Sequence, residues 1–169
     1  GDVVYNAGEN TSPAEAFALK YFQPFAPLLH QLPIYAVPGN HEYAQDARID
    51  GVPYYYHVFP SLLDSGQVDP SPSKRRQYYA IVYQNIQFIF LDSQVFFGEK
   101  GKTEQEEWLD QRLQDDEFTY SVVIMHVPLF TSSIIHPKDS QPVRQAWHDK
   151  FSGARSEERR VGKECRSRW

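Results

Sequence analysis

The chain has 169 residues, 41% hydrophobic and 15% aromatic, with a formal net charge of −5. That is enough apolar chain for one domain with a core, and it excludes a disordered polypeptide. No apolar run approaches the ~20 residues of a membrane span, so no membrane partner is expected.

The elements are taken in chain order. Gly1 to Gly8 reads as a strand end running into a loop. Ser12, Pro13 and Glu15 give an N-cap, a helix start and a capping box. Phe17, Leu19, Phe22, Phe25, Leu28 and Leu29 fit one face of the helix that follows, which Pro24 and Pro27 must kink or end. Pro33 to Val37 reads as a short buried strand entering "GNHEY". Asp46 to Ser73 is irregular and reads as a long surface insertion. Its aromatic stretch, Val52 to Pro60, either lines a substrate mouth or packs the insertion onto the body; packing is preferred, because aromatics dominate ordinary burial.

Two strands follow, Tyr78–Tyr83 and Ile86–Leu91, with a turn near Gln84–Asn85. Thr103 and Glu106 repeat the capping-box pattern, and Trp108, Leu109 and Leu113 give that helix a buried face. "YSVVIMH" is a further apolar strand ending on His126, and Pro142 to Phe151 reads as a last helix. Apolar strands recurring with helices between them predict an α/β sandwich with a mixed sheet.

Arg155 to Trp169 has a different composition. It holds the only cysteine, Cys165, six of the seventeen basic residues and three of the twenty-two acidic ones. The remainder then carries 11 basic and 19 acidic residues, a net of −8. A body so acidic argues against non-specific nucleic-acid binding as the main task, and without cysteine it holds no disulfide. The tail resembles a translated sequencing adapter. It is expected to be an artefactual segment, 155–169, beside a domain at 1–154. No signal peptide is read at the start, which is not a Met; an upstream signal and an extracytoplasmic location stay open.

Polar, metal-competent residues stand at the C-terminal ends of the predicted strands. Asp2 and Tyr5 follow the first, Asn40 and His41 the second, and His126 ends the last. In open α/β sheets that edge is where sites form. Singly, each has an ordinary reading: a turn Asp, a half-buried Tyr, a turn Asn after Gly39, an exposed Glu42, a core His. Together, in order, they form an O/N ligand set suited to Fe, Mn, Zn or Mg.

"GDVVY", "GNHE" and "VIMH" resemble successive blocks of the metallophosphoesterase (calcineurin-like phosphoesterase) superfamily, and the Tyr of "GDVVY" resembles its purple acid phosphatase branch. The resemblance implies a four-layer α/β/β/α sandwich with mixed sheets, here partial and truncated at both ends. It implies a dinuclear metal site, Fe with Fe, Zn or Mn. Asp2 would bridge the two ions, Tyr5 would bind the first, and Asn40 and His126 the second. His41 would contact phosphate or protonate the leaving oxygen, and Glu42 would orient His41. The implied reaction is attack of a metal-activated hydroxide on a small phosphate ester, a phosphomonoester first.

The family's upstream Asp block and its late GHxH block have no counterpart here. The chain is therefore expected to be an inactive fragment of a hydrolase, with sheet surface left open to aggregation. His136 and His148 do not replace the late block. Two alternatives are carried: a phosphodiesterase or nuclease, for which Lys74, Arg75 and Arg76 are the one basic cluster, and a non-catalytic binding domain on a degenerate fold. Asn10-Thr11-Ser12 matches a glycosylation sequon.

Overall fold

The computed structural model describes residues 1–5, 11–59, 78–98, 102–115, 117–132 and 138–153. In chain order the elements are α1 (Pro13–Phe17), α2 (Gln23–Leu29), β1 (Arg48–Ile49), β2 (Val52–Pro53), α3 (Tyr55–Val58), β3 (Tyr79–Tyr83), β4 (Ile86–Leu91), α4 (Lys102–Gln114), β5 (Tyr120–Met125) and α5 (Ser140–Gly153). Asn10, Pro60, Lys74 to Arg76, His136 and the tail from Arg155 lie outside the described residues, as does the insertion beyond Phe59.

β4 is apolar at five of its six positions, the mark of a strand covered on both faces. It sits centrally in a three-stranded mixed sheet of order β3-β4-β5. β3 pairs with it antiparallel through the two-residue turn Gln84–Asn85, where Gln84 takes a φ of 55°. β5 pairs with it parallel, which requires a crossover, and α4 supplies it. α4 and α5 close one face. Ile89 and Leu91 of β4 meet Trp108 and Leu109 of α4 and Val143 and Trp147 of α5 in one buried cluster. Gln87, the polar residue of β4, is buried there too. Its Nε2 donates to the Arg112 carbonyl and to Ser121 Oγ, tying β4 to the end of α4 and to β5.

A second cluster gathers Val4, Ala16, Phe17, Tyr21 and Tyr55 in the first part of the chain. The aromatic stretch at 52–59 is therefore packing material, and none of its residues lines the cavity described below. β1 and β2 form a separate small ribbon, turned by Asp50 and Gly51 at φ 52° and 78°. This pair of left-handed residues is the Asp-Gly hairpin signal. The architecture is α/β with two sheets, as the sequence predicts, and no described helix is long and apolar enough to cross a membrane.

Four local expectations are corrected. The first five residues form no strand. Pro33 to Val37 is extended but unpaired, and Ile34 and Tyr35 are exposed. A strand needs a ladder, and among the described residues none runs beside this segment; only Tyr79 Oη donates to the Ala36 carbonyl, at 2.8 Å. The helical face in 13–29 is also different. Ala18–Phe22 is a π-turn, closed by Gln23 N–H on the Ala18 carbonyl. Phe17 and Tyr21, four residues apart, are buried, while Leu19, Phe22, Phe25 and Leu28 are exposed; the extra residue of the turn rotates the face that follows it. The wide turn also accepts Pro24, which has no N–H to give a regular helix. Ser12 caps as predicted, its Oγ accepting from Glu15 N at 3.2 Å. Thr103, by contrast, lies inside α4, which begins at Lys102.

Candidate metal centre

The site forms where three short segments meet: Gly1 to Tyr5, Gly39 to Tyr43, and the end of β5 at His126. Their contact explains the glycines of "GD" and "GN". A Cβ on Gly39 would stand 2.1 Å from Asp2 Oδ1, and one on Gly1 would stand 2.6 Å from His126 Nδ1. Only a residue without a side chain lets the segments approach so closely.

Glu42 holds the first two segments together. It is 2% exposed, and its Oε2 accepts from Asp2 N at 2.9 Å and Gly39 N at 2.6 Å, while Oε1 accepts from Val4 N at 3.1 Å. A carboxylate receiving three backbone N–H groups is satisfied in place. These backbone N–H groups take up both of its oxygens. The backbone N–H of His41 donates to Asp2 Oδ1 at 3.2 Å, and its ring lies against Tyr5, centroids 4.1 Å apart and planes tilted by 35°.

Asp2, Asn40 and His126 converge. His126 Nε2 is 3.1 Å from Asn40 Oδ1 and 3.5 Å from Asp2 Oδ2. Two donors bound to one ion at ~2.1 Å, roughly at right angles, would stand about 3 Å apart, so the spacing is that of neighbouring ligands. Burial, the main cause, holds the His126 imidazole below its ordinary pKa, against the pull of the Asp2 carboxylate. The ring is therefore neutral at pH 7, the form that binds metal. Asp2 sits in the left-handed region at φ 55°, a conformation that costs energy outside glycine and collects at functional sites. The donor set fits a hard or borderline cation, its third member being an amide. Among the described residues, no three His, Cys, Asp or Glu side chains cluster to hold an ion by themselves. Tyr5 stands at the rim, exposed, and the Asp2 charge beside it raises its phenol pKa.

A cavity of about 480 Å³ opens over these groups. Asp2, Tyr5, Asn40, His41 and His126 line it; Glu42 is buried and does not. The lining also includes Gln94 and Phe97, in the 3-10 turn after β4, and Thr131, Asp139 and Ser140 towards and at the start of α5. None of these five stands among the residues singled out from the sequence. Gln94 was within reach of the same rule, since it follows the C-terminal end of β4 as His126 follows β5. His148 is remote, paired with Asp149 on α5.

The family profile for calcineurin-like phosphoesterases matches residues 1–153. The chain belongs to this family. No curated protein and no solved structure matches it. The family comprises metal-dependent phosphoester hydrolases, which bind divalent metals and act on phosphate esters. For this phosphoesterase the cavity above Asp2, Asn40 and His126 is the place in the fold where donors of that chemistry meet.

Proposed function

We propose that the protein is a phosphomonoesterase of the purple acid phosphatase type, with a dinuclear site. One ion would be held by Asp2, Asn40 and His126, and the other by Asp2 and Tyr5, with Fe paired with Fe, Zn or Mn. The observation that carries the reading is the convergence of Asp2, Asn40 and His126 at 3.1 and 3.5 Å beneath an open cavity. When bound, such ions polarise the phosphate and lower the pKa of water.

The protein's own groups do the rest. Glu42 fixes the backbone that presents Asp2 and Asn40. His41, held by Asp2 and Tyr5, faces the cavity, where it can hydrogen-bond a phosphoryl oxygen or give a proton to the leaving oxygen. Among the described residues the first ion has only two donors. Metal binding should therefore persist at the three-donor position, while turnover by this chain is slow or absent.

Calorimetric titration with Zn or Mn tests this. About one tight equivalent is expected, lost in His126→Ala, and any turnover should favour an aryl phosphate monoester over the matching diester. Metal uptake with diester cleavage alone would favour the diesterase reading. No metal uptake would leave the non-catalytic binding domain.

A further inference from the structure

Gln94, which lines the same cavity as the metal-competent residues, has no task in that reading. It is 5% exposed, lines the cavity, and its Nε2 is buried with no acceptor among the described residues. The backbone around it is held from three directions. Gln94 N donates to Asp92 Oδ1 at 2.8 Å. Asp92 exchanges two hydrogen bonds with the Gln105 amide, at 2.8 and 2.9 Å, and its carboxylate receives the Tyr43 hydroxyl. Ser93 Oγ accepts from Val127 N at 3.1 Å, one residue beyond His126. A turn so fully satisfied leaves one amide nitrogen without a partner, on a residue that lines the cavity. The other buried polar atoms without partners, on Tyr21, Gln87 and Trp147, belong to residues that do not line this cavity.

We propose that Gln94 is a substrate-contacting residue. On binding, a half-turn of its carboxamide presents an N–H to the cavity, where it donates a hydrogen bond to an oxygen of the bound phosphoryl group. The terminal torsion of Gln is broad and roughly two-fold, so a half-turn that exchanges its oxygen and nitrogen costs little. The choice of an amide follows from the site's chemistry. A neutral donor strengthens binding of a dianion without placing a fixed positive charge beside metal ions, as Lys or Arg would.

The inference rests on the phosphoesterase reading, and the test separates the two. Binding of inorganic phosphate to the Zn-loaded 169-residue chain is measured by calorimetry for wild type, Gln94→Met and Gln94→Glu, beside metal stoichiometry and melting temperature. Gln94→Met should weaken phosphate binding about tenfold to a hundredfold, with metal uptake unchanged and the melting temperature equal or higher, because an unsatisfied buried amide has been removed. Gln94→Glu, nearly isosteric, should weaken binding further by opposing the anion, and it carries the test if Gln94→Met fails to fold. Phosphate binding by either folded variant at the wild-type level overturns the proposal. So does a parallel fall in melting temperature, metal uptake and phosphate binding, which marks a structural role. Zn uptake without phosphate binding in wild type overturns the assignment of Gln94 alone; no Zn uptake overturns the phosphoesterase reading with it.

Discussion

On the α4 and α5 side of the sheet, Ile89, Leu91, Leu109, Val143 and Trp147 are all sealed at 0% exposure. On the opposite face of the same strands, Tyr83, Tyr120 and Val122 are 65, 54 and 42% exposed. The segments that carry Asp2 and Asn40 are joined less by apolar packing than by hydrogen bonds: Glu42 to three backbone N–H groups, Tyr43 to Asp92, Tyr79 to Ala36. The difference assigns stability and function to different bonds. The apolar side fixes where β4 and β5 end, and so where His126 and Gln94 stand. The polar struts decide whether Asp2 and Asn40 reach them.

Breaking the apolar side should have the largest effect. Trp147→Ala empties a sealed position and should cost about 3–5 kcal/mol, read as loss of global stability in denaturant. It should affect metal binding only by unfolding the protein. Glu42→Gln should cost less, about 2–3 kcal/mol, since an amide has one acceptor oxygen and would point its own donors at the N–H groups it replaces. Its signature should be the reverse: metal affinity falls while most of the cooperative transition survives. Equal losses of stability and metal affinity in both variants would erase the distinction. Tyr43→Phe comes next. Burial, with the charge of Asp92, pushes the Tyr43 phenol far above its ordinary pKa, so it remains a donor. Removing it leaves Asp92 Oδ2 without that donor, at about 1–2 kcal/mol, and should loosen the turn that carries Gln94.

The same division accounts for what could be read from the sequence. Asp2, Asn40 and His126 stood out because ligand chemistry tolerates few residue types, although only His126 follows a paired strand. The hairpin of β3 and β4 and the buried face of α4 followed from periodicity. The backbone-bracing contacts of Glu42 could not be read from the sequence, because consecutive side chains in a tight turn point in different directions, and that of Glu42 turns inward. The π-turn was hidden, since it shifts the helical phase without a marker beyond Pro24. Gln94 was missed because a glutamine after a strand looks like surface. Only its burial and its unpaired nitrogen distinguish it.

The smallest predicted effect lies on the seam between the two regions. Tyr79 stacks on Phe90, centroids 4.5 Å apart and planes 7° from parallel, and donates to the Ala36 carbonyl just ahead of the Asn40 turn. Burial raises its phenol pKa, so the hydroxyl stays protonated at any working pH. Tyr79→Phe keeps the stacked ring and deletes one hydrogen bond, about 1 kcal/mol. If hydrogen bonds rather than packing hold the Asn40 segment in place, this change should reduce metal affinity severalfold while barely moving the denaturation midpoint. An unchanged metal affinity would mean that Glu42 and the glycine contacts suffice to seat Asn40, and that the bond from β3 serves only the fold.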